Sequence, residues 1–127
     1  VIVRPGKSGF WVDPLTNRRI IYLNEKIVKG GSRSMLLREA AHELVHAEQF
    51  AKEIIRQGGD VSAARRIFQT QSSVGFRYAV DEVVAEKLAQ RRIASYLGRL
   101  SNPAQEWSER YLRDWRSKVC VRRSMRK

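Results

Sequence analysis

The chain has 127 residues, of which 43% are apolar and 30% charged, and a net charge of +12; this suits one domain over residues 1–127 built around a single core. No apolar run approaches the roughly 18 residues that cross a bilayer, and the opening "VIVRPGKSGF" lacks the apolar stretch of a signal peptide. One cysteine, Cys120, excludes an internal disulfide and a cysteine-rich zinc site.

A chain that begins at Val1 reads as a processed or excised piece of a longer protein, or as a trimmed one. The positive charge favours acidic partners, whether nucleic acid, an anionic membrane surface or an acidic protein. Half of the surplus lies in residues 107–127, where eight Arg/Lys face Glu109 and Asp114. That segment is either a solvated helix face running into a basic tail or a docking surface.

After a basic leader, "GFWVDPLTNRRIIYLNEKIV" predicts two short strands around a turn, because aromatic and β-branched residues flank the breakers Asp13, Pro14, Thr16 and Asn17. The second strand, Arg18 to Asn24, carries Ile20, Ile21, Tyr22 and Leu23 in succession, so apolar neighbours are expected on both faces. "KGGSRS" then breaks the chain. From Ser34, as N-cap, to about Gln57 the pattern is helical, and Gly58-Gly59 stops it. Leu37, Ala41, Leu44, Val45, Ala51 and Ile55 recur at steps of three and four and mark the expected core side. Asp60 caps a shorter helix through Phe68, "QTQSSVGF" reads as a polar loop, and a third helix is expected from about Arg77 to Leu97. In the last helix Asn102 suits the N-cap, Pro103 the first helical position and Gln105 a capping box, with an end near Val119. Together these elements predict an α+β fold, mostly helical, with a short N-terminal β-hairpin packed beside the long helix.

The long helix contains "HELVH". His42 and His46 are the only histidines in the chain, and their spacing of four projects both imidazoles from one helix face, within reach of one ion. Glu43 then lies beside that ion without filling a coordination position, where it can hold a water and take its proton. An ordinary helix with two histidines is the alternative. A catalytic zinc takes three protein ligands and leaves one position open, so a third ligand is needed, and no further histidine exists. The segment "RYAVDEVVAEKLAQRR" offers Asp81, Glu82 and Glu86 among Val80, Val83, Val84, Ala85 and Leu88. Carboxylates in such surroundings are costly unless they are paired or bound to metal.

His42-Glu43-Leu44-Val45-His46 followed by "DEVVAE" resembles the gluzincin metallopeptidases, and "EVVAEKLA" is similar to the corresponding helix of the ImmA/IrrE-type metallopeptidases. The resemblance covers roughly residues 18–90. It implies a zincin-like fold in which Glu82 is the third zinc ligand, Ala85 the small residue that follows it, and Glu86 the residue that accepts a hydrogen bond from a ligand histidine. The hairpin "FWVDPLTNRRIIYLN" ahead of "HELVH" also resembles the small metallopeptidase domains at the C-terminal tips of bacterial polymorphic toxins. That likeness implies a toxin or effector domain, secreted or delivered into a target cell within a larger protein, with a cognate immunity or inhibitor protein as partner.

The chemistry expected from these residues is hydrolysis of a peptide bond in a protein or peptide substrate. One Zn2+ at His42, His46 and Glu82 would polarise water and the scissile carbonyl, and Glu43 would carry the proton to the leaving amine. The tetrahedral oxyanion needs a further donor; Tyr78, one turn before Glu82, is either that donor or a packed tyrosine. In zincins an edge strand binds the substrate backbone by strand addition, and the Arg18 to Asn24 strand is the expected one, unless it is only structural. Arg18, Arg19 and Lys26 would then favour acidic substrate residues. A monomer is expected. Two other readings stay open: a DNA-associated metalloprotease or nucleic-acid binder, motivated by the charge and by Trp107, Tyr111 and Trp115 among arginines, or a non-enzymatic module with structural zinc. Aromatics four apart suit a helix core as well as a base-stacking platform, and Asp81 is poorly placed as the fourth ligand a structural site would need.

Overall fold

The breaker cluster at 13–17 forms the expected hairpin turn. Asp13 accepts the Leu15 N–H on its side chain and the Asn17 N–H on its carbonyl, its own N–H donates to the Arg18 carbonyl, and Asn17 takes the left-handed conformation that asparagine tolerates (φ 57°). The computed structural model describes the backbone over residues 1–70, 76–97 and 102–125 and side chains over 1–68, 80–94 and 104–118. In chain order the elements are β1 (Ile2–Arg4), β2 (Gly9–Val12), β3 (Arg19–Asn24), α1 (Glu25–Gly30), α2 (Arg33–Arg56), α3 (Val61–Thr70), α4 (Phe76–Leu97) and α5 (Asn102–Met125). The fold is α+β, mostly helical with one small sheet. Among the described residues no helix is long and apolar enough to cross a membrane.

Two elements go beyond the sequence reading. Residues 2–4 of the basic leader form β1, which pairs in parallel with β3 (Ile2 with Tyr22, Arg4 with Asn24), so the sheet order is β1-β3-β2. The expected substrate-binding edge at Arg18 to Asn24 is therefore a correction: β3 is the central strand, with both edges already paired, and β2 is the outer strand beside it. Asn24 then ends β3 and caps α1, its Oδ1 accepting from the Lys26 and Ile27 N–H groups. Gly31 closes α1 where a Cβ would sit 2.6 Å from the Ile27 carbonyl oxygen, so only glycine fits.

The N-cap of α2 is Ser32, not Ser34; the Ser32 hydroxyl accepts from the Met35 N–H at 3.1 Å. Gly58 and Gly59 (φ 67° and 92°) end that helix by returning their N–H groups to the Ile55 and Ile54 carbonyls. Asp60 caps α3 through the Ala63 N–H, as expected, but α3 runs to Thr70. The remainder of the expected polar loop, 71–75, lies outside the described residues. The last helix starts at Asn102 and continues past Val119 to Met125.

The core lies on two sides of α2. On one, Val12, Phe50 and Ala64 are fully buried under Phe10, Ile54, Val61 and Phe68, and the rings of Phe10, Phe50 and Phe68 pack edge-on or tilted 5.6–5.9 Å apart. On the other, Ile93 and Ala104 meet Met35, Leu37 and Ala41 and join α2 to α4 and α5. The expected core side of α2 is partly corrected: Leu44 is 48% and Ile55 78% exposed, and Ala51 is exposed too. Its buried face instead carries Arg38, His42, Glu43, Val45, His46, Phe50 and Glu53. Apolar spacing could not find a face whose buried residues are mostly charged. On α4, likewise, Ala85 is buried but Val84 is 40% exposed.

The corrected face yields a stability test. Phe50→Ala should cost about 3–5 kcal/mol by leaving a ring-sized cavity, whereas Ile55→Ala should stay within about 0.5 kcal/mol, both measured by urea unfolding. Equal losses at the two positions would restore the face expected from spacing.

Candidate metal centre

α2 and α4 lie side by side and bring His42, His46 and Glu82 together. One ligand atom from each lies within 4.8 Å of the others. His42 Nε2 is 3.0 Å from Glu82 Oε2, His46 Nε2 is 2.9 Å from Glu82 Oε1, and the two Nε2 atoms are 3.2 Å apart. All three residues are buried.

The far side of each imidazole is already occupied. The His42 Nδ1–H donates to Glu86 Oε2 at 2.7 Å, and the His46 Nδ1–H donates to Gln49 Oε1 at 2.7 Å. Gln49 is oriented in turn by its Nε2, which donates to the Asp81 carbonyl. Both rings are thereby held with Nε2 toward the shared point. In their neutral form two nitrogen lone pairs and a carboxylate converge there, three acceptors that a cation would satisfy. The donor set of two imidazoles and one carboxylate is the one zinc takes in catalytic sites, so the residues fit the ion. Asp81 stands outside this cluster.

Without an ion the same convergence is held by protons. Burial disfavours a charged His42, but hydrogen bonds to Glu82 and Glu86 and their negative charge outweigh it and raise the imidazole to about 9; His46 is raised in the same sense by Glu82. Burial also opposes ionisation of Glu82 and Glu86. The two histidines nevertheless hold Glu82 well below the usual carboxylate range, and His42, Arg38 and Ser108 hold Glu86 down. Glu43 moves the other way: burial, with the nearby Glu82 and Glu39, raises it against the pull of the two histidines.

The site opens into a cleft of about 660 Å³ between the β2 end of the sheet and α5, with Ser8, Gly9 and Phe10 on one side and Trp107, Tyr111 and Trp115 on the other. Glu43 lines this cleft beside the two histidines. No family model, curated protein or solved structure matches this chain. Its chemistry must therefore be read from the residues in place.

Sequence reasoning did not single out Arg38 or Ser108 at the centre, and it named Tyr111 only within the aromatic series of the last helix. The Tyr111 hydroxyl donates to Glu82 Oε2 and lies 3.5 Å from His42 Nε2. Ser108 donates its hydroxyl to Glu86 Oε1. Arg38, only 2% exposed, binds Glu86 and Glu39 and sits over Trp107, with Cζ 3.7 Å from the ring centroid. The side chain of Tyr78, the expected oxyanion donor, lies outside the described residues, as does that of Cys120. Trp107, Tyr111 and Trp115 are neither a buried core stripe nor an open platform. They wall the cleft, with Trp107 and Tyr111 stacked at 4.8 Å, Arg38 over Trp107 and Lys118 over Trp115. Arg18, Arg19 and Lys26 are not among the residues that line it.

A metal ion held here would compete with protons for the same Nε2 lone pairs, which gives a pH dependence to test. His42 is raised from 6.5 to about 9, so its contribution to the ion-free fold is complete below pH 6.5 and fades as pH rises through 9. Zinc affinity should rise over that window while the melting temperature of the zinc-free protein falls. Glu82→Ala should lose most of the affinity at every pH. Zinc titrations with a chelating competitor, paired with thermal melts, measure both; an affinity flat from pH 6.5 to 9 would mean that no proton has to be displaced.

Proposed function

We propose that this chain is a zinc-dependent metallopeptidase of the gluzincin kind. The observation that carries the reading is the convergence of two tautomer-fixed imidazoles and the Glu82 carboxylate at the floor of an open cleft, with Glu43 beside them. Zinc, when bound there, supplies a Lewis acid that acidifies water and polarises a carbonyl.

The chain's own residues do the rest. Glu43 takes the proton of the attacking water and passes it to the leaving amine. Its raised carboxyl brings it closer to neutral pH, where one group can serve as base and then as acid. Glu86 and Gln49 keep the imidazoles aimed. Tyr111, whose hydroxyl already lies beside Glu82, is a donor on hand for the oxyanion. The cleft between β2 and α5 takes an extended peptide, and the outer strand for it to line is β2.

Stacking of Trp107 and Tyr111 on each other, and of Arg38 and Lys118 on the tryptophans, uses these aromatics within the protein; this favours a cleft wall over a surface that stacks nucleic-acid bases. The open side of the three-residue cluster favours catalysis over structural zinc. The resemblance to toxin tips extends the proposal to an effector delivered within a larger protein, with an immunity protein able to cover the cleft.

Glu43→Gln should keep one zinc per chain and lose about 10²–10⁴-fold in turnover of a denatured protein substrate, measured by zinc analysis and peptide release. Full activity in that variant would remove Glu43 from the mechanism. Expression in bacterial cytoplasm or periplasm should be harmful for the wild type and tolerated for Glu43→Gln. Equal growth with both forms in every compartment would count against the effector role.

A further inference from the structure

Arg38 is a charged side chain in a place where a charge needs a reason. It lies on α2 one turn before His42 and is 2% exposed. Its Nη1 donates to both oxygens of Glu86, at 3.0 and 2.8 Å, and its Nη2 to Glu39 Oε2 at 2.9 Å, while its guanidinium rests on Trp107. Yet its Nε is buried without a hydrogen-bond partner. Leaving a buried donor unpaired is costly, so the bonds the guanidinium does make are the ones that hold it in this place. Here Nη1 is directed at Glu86 and Nη2 at Glu39, while Nε makes no bond.

Glu86 is the carboxylate that fixes His42. It is completely buried and receives three donors: the His42 Nδ1–H on Oε2, the Ser108 hydroxyl on Oε1, and Arg38 Nη1 across both oxygens. With Ser108 on one oxygen and Arg38 bridging the pair, the carboxylate plane cannot turn without breaking a buried bond. Oε2 is thereby left facing the imidazole. Arg38 also supplies the positive charge that lets a carboxylate stay ionised in this position.

We propose that Arg38 is a positioning residue of the metal centre: by locking the Glu86 carboxylate it aims His42 Nε2, and so sets metal affinity without touching the ion. This rests on the three-ligand site proposed above. Partners that support ligating histidines typically change metal affinity 10–100-fold when they are lost, and that is the range expected for Arg38→Gln.

The experiment is a double-mutant cycle on the full chain with Arg38→Gln, Glu86→Gln and both together. It is read as zinc affinity by chelator competition and as the visible spectrum of the cobalt-loaded protein. If Arg38 acts through Glu86, each single variant weakens zinc 10–100-fold and shifts the cobalt bands, and the double variant binds no more than about threefold worse than Glu86→Gln alone. Multiplying losses, or an Arg38→Gln protein with wild-type affinity and spectrum, would overturn the proposal. Should Arg38→Gln fail to fold, as judged by circular dichroism, Arg38→Lys takes its place in the same cycle. It keeps the charge but donates from a single nitrogen, and an intermediate loss that vanishes in the Glu86→Gln background is expected. Arg38→Lys with unchanged affinity would likewise overturn it. A wild-type protein that takes up no zinc at all would instead sink the three-ligand reading, so the two failures are told apart by the first titration.

Discussion

The fold depends on solving one problem, the burial of charge where three helices meet. Arg38 and His42 from α2, Glu82 and Glu86 from α4, and Ser108 with Tyr111 from α5 form one connected set of hydrogen bonds, and Arg38, His42, Glu82, Glu86 and Ser108 are all buried. A charge taken out of water costs several kcal/mol unless its partners are in place. Each helix is therefore held in register by the other two, since sliding any one of them would strand a carboxylate or a guanidinium. Apolar packing flanks this centre without replacing it: the phenylalanine cluster ties α2 to β2 and α3, and Ile93 with Ala104 ties α2 to α4 and α5.

The same centre explains which parts of the molecule were legible in the sequence. The His42, His46 pair was legible because i to i+4 geometry is local and survives without tertiary knowledge; the need for a carboxylate from the next long helix left Asp81, Glu82 and Glu86 open, and only the resemblance to the gluzincins singled out Glu82 and Glu86. Helix stops at Gly58-Gly59 and the cap at Asp60 were readable for the same reason. The core side of α2 was not. Its inward face is built of Arg38, His42, Glu43, His46 and Glu53, which hydropathy scores as surface, while Leu44 and Ile55 are set toward solvent.

What else escaped was non-local or short. β1 has three residues, all exposed, and its partner lies 20 positions further along, so no alternation could announce it. Without β1, the sequence pattern of β3 reads as that of an edge strand. α1 is a six-residue helix with no buried residue, and only its Asn24 cap and Gly31 stop could have betrayed it. Tyr111 and Trp107 were visible as a stripe, but spacing along α5 says nothing about which neighbour the stripe meets. A sharper signal was available at Arg38, an arginine one turn before a histidine on the side that also carries Val45.

The bonds from His42 and His46 to Glu82 have a further consequence for the chain as a polymer. Whether a proton or a metal ion makes the connection, it joins residues 40 positions apart and closes a loop that contains α3. A permanent cross-link across such a loop would remove about 4 kcal/mol of denatured-state entropy by the usual loop-closure relation. This chain, with a single cysteine, has no disulfide of its own to do that. Its tether is reversible instead, fastened or released by protons and, at the proposed zinc site, by the metal supply of whatever compartment the protein occupies.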